Sequence, residues 1–326
     1  SKTQHQRTIA TSGLAPAAEL ASAVCNALLQ VPRFGYRHPK VQWRRPGAPS
    51  SQHDGAQQLI VESADGCPVS AYDEGHGPVT VIITGGGLDD GRGYAWLAAH
   101  LKNTNRVLRV TRRQYRADNE RWQPVEIVDE AADTVALARA VGRPCYLFGH
   151  SAGGVGALEA ALAAPECFDA LAVFEPAVDL AALPLGNPAS THAARQAITA
   201  GHAGRALEIF LRDMVGAPPP VAKLAKLVAF SPRFRSQLIP GQIADQEALE
   251  RLGDRLEAYR GIEQHVLLIG GTKSPEHFRS RINLLQRELP SSDVRLLEGA
   301  GHSGPVRRAN ELAKLLLADI GAQVAV

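Results

Sequence analysis

The chain has 326 residues, 45% of them hydrophobic, and a formal net charge of +2. That length exceeds one average domain but suits a single α/β core carrying an insertion, and the apolar content is enough for a large core and excludes bulk disorder. The small charge argues against a nucleic-acid binder driven by overall electrostatics, and no apolar run approaches the ~18 residues that span a bilayer.

Residues 1–13 are polar. Ala15–Gln30 reads as one helix, with Leu20, Val24, Ala27 and Leu28 on a common stripe. Glu19 and Asn26 interrupt that apolar stretch, which disfavours a signal peptide. The helix is a candidate either to join two copies of the chain or to close over a pocket. Residues 32–57 hold Pro32, Pro39, Pro46 and Pro49 among Arg33, Arg37, Lys40, Arg44 and Arg45. Proline removes donors and favours extended chain, so this is an irregular arm, packed on the core by default, with an anionic partner as the alternative. The cysteines are Cys25, Cys67, Cys145 and Cys167, with no C-x-x-C pair. They read as buried or free thiols in a reducing, cytoplasmic setting. His, Cys and acids do not cluster at ligand spacing, so no metal site is expected.

From residue 59 the pattern becomes regular. Leu59–Glu62 and Val69–Tyr72 flank Asp65-Gly66 and read as a hairpin. Val79–Ile83 is a buried strand running into Thr84-Gly85-Gly86-Gly87. Tyr94–Leu101 reads as a short helix, Arg106–Val110 as a strand and Ile127–Val141 as an amphipathic helix. The basic segment Arg112–Arg116 reads as a surface loop, with carboxylate or phosphate binding as the alternative.

The stretch with most chemical content is Cys145–Leu158: an apolar strand, then Gly149-His150-Ser151-Ala152-Gly153-Gly154, then an Ala/Leu-rich helix. Small residues on both sides let the chain turn sharply from strand to helix, exposing the Ser151 hydroxyl. The N–H of Ala152 then lies at a helix N-terminus, where it can stabilise an oxyanion. Ala170–Phe174 is a further buried strand ending at Glu175-Pro176. An acid at that end of a strand can hold a histidine in one tautomer, or simply cap the strand. Between 177 and 261 the pattern is helical and broken, with candidate helices Ala193–Ala200, Gly204–Met214, Val221–Phe230 and Gln246–Tyr259 interrupted by Pro218-Pro219-Pro220 and Pro232. His265–Gly271 is a strand, Arg279–Leu289 a helix, Val294–Leu297 the last strand and Ala309–Ile320 the last helix. Glu298-Gly299-Ala300-Gly301-His302 lies between the final two.

Through the Gly149–Gly154 motif and this order of elements, residues ~59–320 resemble the α/β-hydrolase superfamily. The resemblance implies a mostly parallel central sheet flanked by helices, with a core at 58–176 and 262–326, a helical cap at 177–261 and an N-terminal arm at 1–57 outside it. It implies Ser151 as nucleophile and His302 as base. The second oxyanion donor, beside Ala152, would be the N–H of Gly86, although Thr84 stands where the family commonly has His. The family usually carries its acid after the strand preceding the final one, but Gly270–Pro275 holds no Asp. Some members place a Glu after the strand that follows the serine helix, and Glu175 matches that placement; Asp179 and Glu276 are fallbacks. Gly87, His150, Phe210 and Met214 are candidate substrate-binding residues, with Phe230 and Phe234 as further cap residues that could face the pocket or fill the cap core.

The implied activity is that of a serine hydrolase acting without cofactor or metal on an ester, lactone or thioester of a small molecule. Fold does not fix chemistry, so two other readings stand beside it: C–C cleavage, lyase or cyclase chemistry on the same fold, and a non-catalytic ligand binder.

Overall fold

The computed structural model describes residues 56–323. The Ala15–Gln30 helix, Cys25 and the basic arm up to residue 55 lie outside them. Two strands, β1 (Gln57–Glu62) and β2 (Pro68–Gly75), pair antiparallel around a turn in which the Asp65 carboxylate accepts the Cys67 N–H at 3.0 Å. There follow β3 (Thr80–Thr84), α1 (Ala95–Leu101), β4 (Arg106–Thr111), α2 (Ile127–Val141), β5 (Cys145–His150), α3 (Ala152–Ala163) and β6 (Phe168–Phe174). An insert then supplies α4 (Pro188–Thr199), α5 (Ala203–Asp213), α6 (Pro219–Ala225) and α7 (Ile239–Leu252). The chain closes with β7 (His265–Gly271), α8 (Glu276–Glu288), β8 (Ser292–Leu297), α9 (Gly304–Arg307) and α10 (Ala309–Gln323).

One eight-stranded sheet has the order β1-β2-β4-β3-β5-β6-β7-β8. β2 is antiparallel to both neighbours, and β4, β3, β5, β6, β7 and β8 run parallel. From β3 the chain moves outward to β4, then returns to the other side of β3 as β5. The strand order therefore reverses between β3 and β5. In open α/β sheets a crevice opens beyond the carboxyl ends of the strands at such a point. Here it receives the loops that begin at Gly85 and Ser151.

β5 is buried along its whole length, as expected of a strand covered on both faces. Cys145 and Leu147 enter one apolar layer, with Ile127 and Leu137 of α2, Val155 and Leu158 of α3 and Ile282 and Leu285 of α8. Tyr146 and Phe148 enter the opposite layer, with Leu97 and Leu101 of α1 and Leu312 and Leu316 of α10. α2 begins with a reciprocal cap, in which Glu126 and Asp129 each take the other's backbone N–H.

The insert has an apolar cluster of its own, including Ala206, Leu207, Val228, Phe234, Leu238 and Ile243. Phe234 belongs to it, whereas Phe230 is 79% exposed. Two helix boundaries differ from expectation. The last insert helix starts at Ile239, not Gln246, and continues directly from a wider helical turn at Phe234–Leu238, so that Pro240 lies within a helical run. It stops at Leu252 rather than Tyr259, at Gly253 with φ +67°.

The basic segment is not a surface loop. Arg112, Arg113 and Arg116 are all buried, and their partners are acids of the protein itself. Arg113 pairs with Asp133 and Asp65, and Arg116 with Asp118 at 2.7 Å. Arg112 pairs with Glu130 of α2 and, at 2.5 Å, with Asp245 of α7, whose other oxygen accepts the Tyr115 hydroxyl at 2.8 Å. Arg112 also reaches the Gly85 carbonyl at 3.3 Å. One guanidinium thus ties the insert, α2 and the glycine loop together.

That cluster sets two carboxylates against one guanidinium. Burial pushes the Glu130 carboxyl up to about 7, against the pull of Arg112 and with the help of the Asp245 charge. A carboxyl that holds its proton more tightly folded than unfolded stabilises the fold fully below its unfolded pKa, about 4.3. That contribution is lost as pH rises through its folded value. The urea midpoint is therefore expected to carry a component that falls between pH 5 and 7.5, and Glu130→Gln is expected to remove that component.

Candidate active site

The turn between β5 and α3 is set by close backbone approach. A Cβ at Gly149 would lie 2.7 Å from the Gly153 carbonyl oxygen and from the Gly154 Cα; one at Gly153 would lie 2.5 Å from the Thr84 carbonyl oxygen. Only glycine fits these two positions. Ser151 between them has φ +53°, ψ −123°, a conformation L residues rarely adopt. Its N–H donates to the Phe174 carbonyl (3.0 Å), and its carbonyl accepts from Gly154 (2.9 Å) and Ala177 (3.1 Å). Ala152 is the first residue of α3, so its N–H has no carbonyl within the helix to serve.

Three predicted side chains meet at this turn. His302 Nε2 lies 3.2 Å from Ser151 Oγ, and His302 Nδ1 lies 2.7 Å from Glu175 Oε2. The other Glu175 oxygen accepts the Gly271 N–H at 2.7 Å. Glu175 is buried, and like Ser151 it has a positive φ, +44°. Its own N–H donates to the Ile269 carbonyl at 2.9 Å, which keeps the residue in line with the parallel pair β6–β7. Phe278 of α8 stacks on the His302 ring at 4.2 Å with a 14° tilt. Such a line of carboxylate, imidazole and hydroxyl can move a proton from hydroxyl to imidazole while the carboxylate steadies the charge. Asp179, a fallback acid, is occupied elsewhere: it accepts the Leu185 N–H at 2.7 Å.

The glycine loop has a support that the sequence reading lacks. The Gly86 N–H donates to the Tyr94 hydroxyl at 2.6 Å, and that hydroxyl lies 2.6 Å from His150 Nδ1. Having accepted from Gly86, Tyr94 gives its proton to His150, which leaves the imidazole proton on Nε2. Burial holds the His150 pKa well below the ordinary histidine value, with the neighbouring His302 adding to the effect. Burial likewise raises that of Tyr94, so both groups stay neutral. His150 packs edge-on against Phe174 and 4.8 Å from the His302 ring. It stands behind the site rather than in an open pocket. Gly86, expected as the second oxyanion donor, therefore has its N–H engaged by Tyr94. The N–H of Gly87, one residue on, has no acceptor among the described residues.

Met214 is buried and packs beside Gly186, and Phe210 lies against the apolar cluster of the insert. Neither makes a hydrogen bond or ring contact to the three central side chains. His277, next to Phe278, is lowered to about 4 by burial and by Arg281, which lies 2.8 Å from its Nδ1. Tyr94, Phe278 and the Gly271 N–H were missed because nothing local in the sequence marks them; each arrives from a different element. Among the described residues no group of His, Cys, Asp and Glu could hold a metal, and no helix is long and apolar enough to cross a membrane.

A parallel sheet that reverses order beside a serine elbow is the architecture of an α/β hydrolase. The alpha/beta hydrolase family model matches residues 76–315, and the chain belongs to that family. An alpha/beta hydrolase from Sphaerobacter thermophilus DSM 20745 is 26% identical with a TM-score of 0.64, covering 79% of this chain and 100% of that one. An esterase from Exiguobacterium antarcticum is 17% identical with a TM-score of 0.66, covering 81% and 100%. A thermophilic esterase from Thermogutta terrifontis, solved with malate bound, is 15% identical with a TM-score of 0.62, covering 83% and 100%. At those identities the two esterases show the shared fold alone. No curated protein matches the sequence significantly.

Tyr94→Phe strands the Gly86 N–H and His150 Nδ1 together inside the core. It is expected to destabilise the fold by about 1–3 kcal/mol in chemical denaturation.

Proposed function

We propose that the chain is a serine hydrolase that cleaves an ester, lactone or thioester of a small molecule through an acyl-enzyme, without cofactor or metal. The observation that carries this reading is the hydrogen-bonded line from Ser151 Oγ through His302 to Glu175. His302 Nε2 takes the Ser151 proton as the hydroxyl oxygen attacks the carbonyl carbon. The imidazolium so formed is held by Glu175, whose second oxygen is fixed by the Gly271 N–H. The carbonyl oxygen, now negative, is met by the Ala152 N–H and by the glycine loop. In that loop Gly87 is the available donor, since the Gly86 N–H faces Tyr94. One such donor is worth about 3–4 kcal/mol to the transition state. His302 then returns its proton to the leaving oxygen or sulfur. Water, deprotonated by the same imidazole, releases the acyl group and restores Ser151. The insert between β6 and β7 acts as the cap that shapes the substrate site.

Family membership supports hydrolase chemistry at this level. The two esterases named above are consistent with an ester, though they bear on fold only. Ser151→Ala is expected to abolish covalent labelling by a fluorophosphonate probe, read by intact-protein mass; persistent labelling of that variant removes Ser151 as nucleophile. Glu175→Gln is expected to lower kcat on activated p-nitrophenyl esters about 10³- to 10⁴-fold with little change in KM. Near-normal turnover in that variant would take the acid role away from Glu175.

A further inference from the structure

Gln242 lies in the second turn of α7 and is 6% exposed. Its carboxamide occupies the space where a side chain at Gly87 would stand. A Cβ built on Gly87 overlaps Gln242 Oε1 and lies 2.6 Å from its Cδ and 3.0 Å from its Nε2. One residue earlier, a Cβ on Gly86 would lie 3.3 Å from the Ser151 Cβ. The amide thus stands one residue further along the glycine loop than the point where that loop touches the serine.

No hydrogen bond or ion pair reaches either polar atom of this carboxamide among the described residues. Its neighbours along the chain are all engaged. Gln237 donates to the Tyr115 carbonyl at 2.5 Å, Asp245 holds Arg112 and Tyr115, and Gln246 donates to Glu250 at 3.0 Å. Nor can α7 turn to relieve it. Asp245 is anchored in the buried charge cluster, and Gly241 sits so tightly on the Gln114 carbonyl that a Cβ there would come within 2.8 Å. Neither polar atom is sealed in the interior, so the amide opens its donor and its acceptor on accessible space at the glycine loop, where a ligand can take up both.

We propose that Gln242 is a specificity-determining residue of this site, its carboxamide binding a hydroxyl that the substrate carries close to the scissile carbonyl. The inference rests on the hydrolase reading and narrows it. A hydroxyl suits the amide because it can donate to Oε1 and accept from Nε2 at once. Substrates of this class are hydroxyacyl esters or thioesters, with the hydroxyl on the acyl side, or hydroxyalkyl esters, with it on the leaving side. Glycine at 87 is then required to leave room for the amide, and the Arg112–Asp245 pair is what delivers α7 to the loop.

The test measures kcat/KM for p-nitrophenyl butyrate against its 2-hydroxy and 3-hydroxy counterparts, and for ethyl butyrate against 2-hydroxyethyl butyrate. The wild-type chain is expected to prefer one hydroxylated ester at least about 10-fold over its plain partner, because a site built to pair a hydroxyl rejects the analogue lacking it. Which arm responds identifies the side that carries the hydroxyl. In Gln242→Leu the preference is expected to shrink to within about twofold, chiefly through KM, and Gly87→Ala, which must push the amide aside, is expected to do the same. The assignment is overturned by a wild-type chain labelled at Ser151 by fluorophosphonate that shows no preference, or by a preference unchanged in Gln242→Leu. A wild-type chain with neither labelling nor turnover overturns this inference and the hydrolase reading together.

Discussion

The architecture depends on how closely helix α3 crosses the ends of β3 and β5. Backbone meets backbone there: Gly153 lies on the carbonyls of Thr84 and Gly85, and Gly149 on Gly153 and Gly154. Thr84 seals the crossing from below, its hydroxyl donating to the Gly153 carbonyl at 2.8 Å. This accounts for Thr84 in place of histidine: its side chain is used to fasten the strand end to the helix. Because the helix starts so near the sheet, the Ser151 side chain is forced outward at the carboxyl edge, and Glu175 and the His302 loop arrive at the same edge from β6 and from the end of β8.

Around that crossing the protein stabilises its irregular pieces with buried charge. Arg112 joins β4, α2, α7 and the glycine loop. Arg281 of α8 does the same for the segment after Glu175, donating to the carbonyls of Val178, Leu183 and Pro184 at 2.9–3.0 Å. A guanidinium suits this task, since its planar fork satisfies several acceptors that regular structure leaves unpaired. Removing either partner of such a contact is far more damaging than the contact is stabilising, because a bare buried charge remains.

Much of this was legible in the sequence. Strand and helix periodicities follow from which faces are covered, so β3 to β8 and their intervening helices fall close to the expected segments. Ser151, Glu175 and His302 were legible because each follows a core strand in an order that a known family shares, and the fold brings them within hydrogen-bond reach. Tyr94, Gln242 and the arginine cluster were not. Arg112–Arg116 has the composition of a solvated loop, and its burial depends on acids as far as 133 residues away. Pro240-Gly241 has the composition of a helix breaker, yet it lies inside a helical run that continues from Phe234–Leu238 into α7, and so Gln242 fell outside any expected element. Local pattern reports what a segment prefers; pairing across the fold decides what a buried polar group does.

The backbone at Ser151 restricts which side chains this turn can carry. A residue at φ +53° has its Cβ pressed toward the carbonyl group of the preceding residue, and a second heavy atom branching from that Cβ would make the crowding severe. Threonine bears the same hydroxyl as serine but is barred at 151 by its methyl group. Cysteine, unbranched, is admitted. In this chain, then, the choice of side chain at the turn is screened by steric fit of the main chain before reactivity is considered.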